Sequence, residues 1–229
     1  MKPIPTLEPM DAYALWAATY ASEAHTPLMR LEERAVRDLL PDVRGRVTLD
    51  AACGTGRYLR ELETRGAALA CGVDLSEAML RRVESPVPRV RADLRQLPFK
   101  SATFDLIVCG LAIGHVERIE PCLRELGRLL TPGGILVYSD LHPAGARAGW
   151  LRTFHTLDGS EYAVRHYVHS RESHLFGCRD ADLVVERMLE PTIDFPHQYR
   201  GWSAALVIRA RRCELSGFGG RDSGFGKQR

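Results

Sequence analysis

No window of this 229-residue sequence approaches the run of about 18 apolar residues that a membrane-spanning helix needs, so no membrane insertion is expected. No excess of one charge sign exists either. The 31 basic and 29 acidic side chains are mixed along the chain and leave a net charge of +2. That balance offers no electrostatic footprint for nucleic acid or an anionic lipid surface. The six cysteines, at 53, 71, 109, 122, 178 and 213, include no C-x-x-C pair. Such spacing argues against a zinc ribbon or a thioredoxin-like redox pair, and Cys71 and Cys109, inside apolar runs, read as small buried hydrophobes. The opening Met1-Lys2-Pro3-Ile4-Pro5 lacks the apolar core of a signal peptide. A reduced, cytoplasmic protein is the expectation. Repeats and long linkers are missing as well. Only Ser216 to Arg229, with five glycines and no apolar periodicity, departs from a folded pattern, and a flexible tail is expected there.

What the sequence does contain is an alternation of short apolar runs and helical patterns. Helices are expected over Asp11 to Tyr20 and Leu31 to Leu40, then a strand over Val47 to Asp50 and a helix over Tyr58 to Arg65. A strand over Leu69 to Asp74 precedes a helix capped by Ser76. Further strands are expected at Pro88 to Arg91, Phe104 to Cys109 and Ile135 to Ser139, with a helix over Ile119 to Leu130. Five such alternations predict a parallel sheet with right-handed crossovers. Beyond residue 140, Asp158-Gly159 between Arg152 to Leu157 and Glu161 to Val168 signals a hairpin. A short helix near Arg171 to Cys178 and strands over Leu183 to Leu189 and Ala204 to Ala210 complete the reading. The predicted fold is α/β, a doubly wound, mostly parallel, seven-stranded Rossmann-like sheet with a small hairpin or lid inserted after the fifth strand. One domain over residues 1–215 is expected, with an N-terminal helical cap (1–45), a substrate lid (143–180) and the tail at 216–229.

The densest chemical signal is Val47-Thr48-Leu49-Asp50-Ala51-Ala52-Cys53-Gly54-Thr55-Gly56. A strand ends in a carboxylate and runs into a glycine turn and a helix, which is the ligand corner of a doubly wound sheet. Asp50 would repel a pyrophosphate and attract a ligand carrying an ammonium and a sulfonium. S-adenosylmethionine (SAM) is such a ligand. Gly54 and Gly56 are expected to let the backbone approach it. Asp74 ends the second strand 18 residues beyond Gly56 (74 − 56), a spacing suited to holding a ribose diol. Asp93 ends the third strand and can accept from an adenine amine, with Leu75 and Leu94 on the two faces of the ring. A nicotinamide dinucleotide fits poorly, both for Asp50 and for Leu59, which stands where a third glycine is expected.

These motifs resemble those of class I SAM-dependent methyltransferases, and the similarity is greatest to the small-molecule branch of the type 11 kind. Leu49 to Gly56 resembles the first motif and Gly72-Val73-Asp74-Leu75-Ser76-Glu77-Ala78-Met79-Leu80 the second. Ala92-Asp93-Leu94 through Phe99 resembles the third, and Phe104 to Cys109 with Leu130 to Gly134 the fourth and its following turn. Ala52 departs from the pattern, since many relatives carry glycine there. The resemblance implies SAM as cofactor and S-adenosylhomocysteine as product. It implies Asp50, Ala52, Gly54, Gly56, Asp74, Leu75, Asp93, Leu94 and Cys109 around the cofactor, with Tyr13 and Tyr20 closing over the methionine carboxylate.

The implied reaction is methyl transfer to an oxygen, nitrogen or carbon nucleophile of a small acceptor. His115, after the fourth strand, and His142, after the fifth, are the candidate catalytic bases, and both are expected to face the pocket, with Asp140 orienting His142. Trp150, Phe154, Tyr162 and Tyr167 favour an apolar or aromatic guest. Arg147, Arg152 and Arg165 offer a basic patch for the alternative, an acyl group on a carrier protein. A SAM-binding scaffold without catalysis is the other alternative. An Asn/Asp-Pro-Pro-aromatic motif for nucleic-acid methylation is replaced by Cys109-Gly110-Leu111-Ala112. His166 and His169 on one strand would point to opposite faces and spoil a shared metal site with His174. Asp140 with His142 is a lesser possibility for a divalent ion, so no metal is expected. Either a monomer or a homodimer fits.

Overall fold

Strands buried on both faces organise the molecule. The computed structural model describes residues 3–194 and 198–214. In chain order its elements are β1 (Thr6–Leu7), α1 (Pro9–Trp16), α2 (Pro27–Leu39), β2 (Val47–Ala51), α3 (Arg57–Thr64), β3 (Leu69–Asp74), α4 (Glu77–Leu80) and β4 (Arg89–Arg91). Then follow β5 (Phe104–Cys109), a 3-10 turn (Ile113–His115), α5 (Glu120–Leu129), β6 (Leu130–Leu141), α6 (Pro143–Arg147), β7 (Arg152–His155), β8 (Glu161–Val164), α7 (Arg171–Asp180), β9 (Leu183–Leu189) and β10 (Ala205–Arg212). The predicted tail, 216–229, lies outside the described residues. No helix among those described is long and apolar enough to cross a membrane.

The main sheet has the order β4-β3-β2-β5-β6-β10-β9. Its first five strands are parallel, and β10 runs antiparallel to both of its neighbours. The expected doubly wound, seven-stranded α/β fold is therefore present. Leu49, Val73, Ile107 and Leu136 face one half of the core, with Leu123 and Leu126 of α5. Leu106, Val108 and Val137 face the other, with Val36 and Leu39 of α2 and Leu59 of α3. Burial on both faces explains why these strands read as unbroken apolar runs.

Local chemistry sets the element ends. The Thr26 hydroxyl accepts from the Met29 N–H at 3.1 Å, and Pro27 opens α2 four residues before the predicted start (31 − 27). Ser76 caps α4 as expected. The Thr131 to Gly134 turn does not separate a helix from a strand. It is absorbed as a bulge within β6, where Phe104 pairs with Leu130 but Leu106 pairs with Ile135. Gly159, at φ +82°, turns the predicted hairpin, and β7 pairs antiparallel with β8. The two residues of β1 add a parallel third strand to that hairpin. This small sheet lies over α1: Phe154 stacks on Trp16 with ring centroids 4.9 Å apart, and Ala12 and Val164 complete the cluster.

Candidate cofactor and acceptor site

In the sheet, strand order reverses between β2 and β5, and a crevice forms outside the carboxyl ends of the strands at that point. Here it is a cavity of about 420 Å³, roofed by α1 and the small sheet. Asp50, Ala52, Gly54, Asp74, Leu75, Asp93, Leu94, Tyr13, Tyr20 and His115 line it, as the sequence predicts. Arg152 and Tyr167, both expected near the acceptor, add a cation and an aromatic wall, and Met10, Met29 and Leu111 extend it with apolar surface that no local motif announced.

Each acid has its own setting. Asp50 is 1% exposed, and its Oδ2 accepts from the Leu59 N–H at 2.8 Å. Burial raises its pKa to about 7, against the opposing pull of that hydrogen bond and of Arg57. A cation placed beside it would restore the carboxylate. Asp74 accepts from the Gly54 N–H through Oδ2 and from the Ser76 N–H through Oδ1, both at 2.8 Å. Its plane is thereby held, and each oxygen keeps a lone pair for a diol. Asp93 is gripped by the Arg95 side chain and accepts from the Arg95 N–H at 2.8 Å, and this pairing holds its carboxyl below the usual range.

The turn between β2 and α3 carries three left-handed residues: Ala52 (φ +59°), Gly54 (φ +55°) and Gly56 (φ +86°). At Ala52 a side chain occupies a conformation that costs it about 1–2 kcal/mol. Gly56 departs from its predicted role. It does not line the cavity, and a Cβ there would come 3.2 Å from Val83. Its place is the first turn of α3, packed against the chain after α4. Cys109 also moves out of the cofactor set. Its side chain is fully buried in the core, and the neighbouring Gly110 lines the cavity instead. A Cβ on Gly110 would lie 2.4 Å from the Tyr58 ring.

His142 requires the larger correction. It does not line the cavity. It caps α6, with Nδ1 accepting from the Ala144 N–H at 3.1 Å and Nε2 standing 3.4 Å from Glu190. Pro143 at the first helical position makes a cap the natural use of the preceding residue. Asp140 does not orient it, and points instead at His166, His169 and His174. The expectation that these histidines diverge also fails. β8 ends at Val164, so residues 165–170 have no strand alternation, and both His166 and His169 turn onto Asp140.

His115 does face the cavity. Its Nδ1 stands 3.2 Å from the Arg165 carbonyl, which can only accept, so the proton belongs on Nδ1. Nε2 then accepts from the Tyr13 hydroxyl at 2.8 Å and from Arg152 Nη1 at 3.3 Å. Burial, aided by the Arg152 charge, depresses its pKa to about 3. Arg152, from β7, also donates to the Leu111 carbonyl at 2.9 Å and lies over the Tyr13 and Trp16 rings. Among the described residues it forms no ion pair with a carboxylate. Leu111 itself is held at φ +52°, its N–H bonded to Ser139 Oγ at 2.8 Å.

A seven-stranded sheet with one reversed strand, and acids at the ends of β2, β3 and β4, defines a Rossmann-like nucleoside-binding protein. Comparison narrows the class. Residues 49–138 match the family described as "Methyltransferase domain". A SAM-dependent methyltransferase of known structure from Mesorhizobium loti superposes with a TM-score of 0.67 at 26% identity, covering 80% of this chain and 98% of that one. Two curated relatives bear the name malonyl-[acyl-carrier protein] O-methyltransferase. The protein of Dechloromonas aromatica is 40% identical over 119 residues, 52% of this chain and 42% of its own length. That of Enterobacter lignolyticus is 33% identical over 142 residues, 59% and 56% respectively. The matched stretch thus spans about half the length of these relatives. Over residues 49–138, and in the fold of the whole sheet, the chain is thus similar to SAM-dependent methyltransferases.

Proposed function

We propose that this chain methylates a carboxylate oxygen of a small acceptor, using SAM. The observation that carries the choice of acceptor is Arg152, a guanidinium in the cavity wall with no carboxylate partner among the described residues. A desolvated cation of this kind calls for an anion in the cavity. The rest of the wall, with Met10, Leu94, Leu111 and Tyr167, suits an apolar or aromatic remainder.

The residues present fit the cofactor. Asp74 would take the ribose hydroxyls, Asp93 with Leu75 and Leu94 the adenine, Asp50 the ammonium, and Tyr13 and Tyr20 the methionine carboxylate. SAM supplies an electrophilic methyl on a sulfonium, which departs as a neutral thioether when its carbon–sulfur pair returns to sulfur. A carboxylate attacks that carbon without first losing a proton, whereas a phenol needs a base. His115 is a poor base, because its Nε2 lone pair is already engaged by Tyr13 and Arg152 and its pKa is held near about 3. Its fitting role is to hold Arg152 and Tyr13 in place. Esterification removes the acceptor's charge and with it the attraction to Arg152, which favours release of product. The names of the matched relatives, which specify a carrier-bound malonyl group, support an acidic acceptor. The free cysteines suit a reducing, cytoplasmic setting.

The test is transfer from methyl-labelled SAM to a panel of acids, among them malonyl thioesters of coenzyme A and of carrier protein, beside phenols and amines. Label in base-labile methyl esters is expected. Arg152→Met should raise KM for the acceptor at least about tenfold, and by clearly more than it weakens SAM binding, since Arg152 also lies over the Tyr13 ring. Label confined to phenols or amines, or an unaffected Arg152→Met enzyme, overturns the proposal.

A further inference from the structure

We propose that Asp140, His169 and His174 form a binding site for one divalent metal ion of zinc type, placed behind the cavity and independent of methyl transfer. The three come from separate parts of the chain: the end of β6, the irregular segment after β8 and the first turns of α7. All are buried, at 1%, 7% and 0% exposure. One ligand atom from each lies within 4.8 Å of the others. Asp140 Oδ2 stands 3.2 Å from His169 Nδ1 and 3.5 Å from His174 Nε2. Ligand atoms bound at zinc distances in a tetrahedron stand about 3.3–3.4 Å apart.

The donor and acceptor count is the stronger reason. His169 Nε2 faces the Glu117 carbonyl at 3.4 Å, an acceptor only, so that nitrogen carries the proton and Nδ1 presents a lone pair. His174 Nδ1 meets the Tyr138 hydroxyl at 3.3 Å, and that hydroxyl in turn reaches Cys178 Sγ at 3.4 Å. Tyr138 can donate or accept, so it allows the tautomer with the proton on Nδ1; in that tautomer Nε2 of His174 is a second lone pair, buried and without a hydrogen-bond partner. Asp140 Oδ1 is already supplied by the Leu141 N–H at 2.8 Å and by His166 Nε2 at 3.1 Å. Its Oδ2 is therefore a third acceptor, aimed at the other two. In that tautomer three lone pairs converge on one buried point, where a cation would satisfy them together.

The surroundings fit a resident ion. Every candidate ligand has an outer partner that fixes its tautomer or orientation: Glu117 for His169, Tyr138 for His174, His166 and Leu141 for Asp140. Gly114 makes room for this arrangement, since a Cβ there would lie 1.9 Å from His166 Nε2 and 2.6 Å from Asp140 Oδ1. A fourth position would be left for water. The consequence is mechanical. The ion would pin the segment after β8, and with it the roof of the cavity, to the sheet. His166 links this centre to the cavity wall, its ring 6.1 Å from that of His115.

The competing arrangement is metal-free, with His169 and His174 both turned as donors toward the Asp140 carboxylate, and experiment separates the two. The untagged full chain, stripped with chelator and dialysed, is titrated with Zn²⁺ and with Co²⁺, and its metal content is measured by mass spectrometry before stripping. One equivalent of metal, tetrahedral-type Co²⁺ visible absorption and a thermal midpoint several degrees higher on loading are expected. His169→Gln and His174→Ala should each weaken Zn²⁺ binding at least about 100-fold, while His155→Ala, an exposed histidine, leaves it unchanged. A folded wild-type chain that carries no metal, binds neither ion and shows no change in midpoint overturns the proposal without touching the methyltransferase reading.

Discussion

At the scale of single residues, Asp50 sets the pH behaviour of the cofactor site. Its folded pKa, about 7, is raised above the ordinary carboxylate value of 3.8. In the cofactor-free protein, stability linked to this group is full below that ordinary value and is lost as pH rises through about 7. A cationic ligand needs the ionised form, so its affinity has the opposite trend. SAM binding should strengthen by up to about tenfold per pH unit as pH rises toward 7 and then level off. Calorimetry across that range checks it, and Asp50→Asn should flatten the profile and weaken binding. Ala52 allows a second prediction. Relief of left-handed strain, about 1–2 kcal/mol, outweighs the added chain entropy of glycine, about 0.4–1 kcal/mol. Ala52→Gly should therefore stabilise the protein by roughly 0.5 kcal/mol, read as a higher urea midpoint with unchanged slope. These residue-level features were visible in the sequence because the β2 turn is local: Asp50, Ala52 and Gly54 reach the cavity by their position on one strand end. His142 was misplaced for an equally local reason. The pattern His-Pro marks a helix cap as readily as a base, and the cap prevailed.

At the scale of elements, the small sheet is the part with least support of its own. It rests on α1 through Phe154, Trp16, Ala12 and Val164, a cluster separate from the main core. Phe154 is 3% exposed, and truncating a buried Phe costs about 3–5 kcal/mol. That loss should appear as local opening. Phe154→Ala is expected to speed amide exchange in residues 152–164 by about 100-fold or more, with little change in exchange from β2 and β5. Uniform acceleration across the main sheet would show that the roof and core unfold together. The hairpin was predictable from Asp158-Gly159, but β1 was not, because two residues carry no periodicity. Arg152 stands in the sequence only as one of three basic residues, with Arg147 and Arg165, and of these it alone lines the cavity, because α1 covers its short strand.

At the scale of the whole molecule, one buried carboxylate joins distant parts of the chain. Glu32 of α2, fully buried, accepts from Arg57 at 2.9 Å, Tyr58 at 2.8 Å and Ser139 at 2.6 Å, linking α2, α3 and β6. Glu32→Ala would leave the buried Arg57 with only the longer carboxylate contact to Glu33, at 3.7 Å, and strip Tyr58 and Ser139 of their acceptor, at a cost of about 3–5 kcal/mol. A midpoint lower by on the order of 10 °C is expected in thermal melts, from about 2–4 °C per kcal/mol at this chain length. A loss no larger than that of an exposed control would refute the coupling. The sequence by itself determined the strand and helix alternation, the reversed order at the sheet centre that such alternation favours, and the three acids at strand ends. These follow from patterns within about 20 residues, the reach of backbone geometry and of apolar periodicity. Only the tertiary structure decided that Arg152 joins His115 and Tyr13 in the cavity, that Gly56 and Cys109 serve packing, and that three histidines meet at Asp140. Each of these depends on chain segments far apart in sequence brought into contact by burial, and no local pattern encodes which of them will face one another.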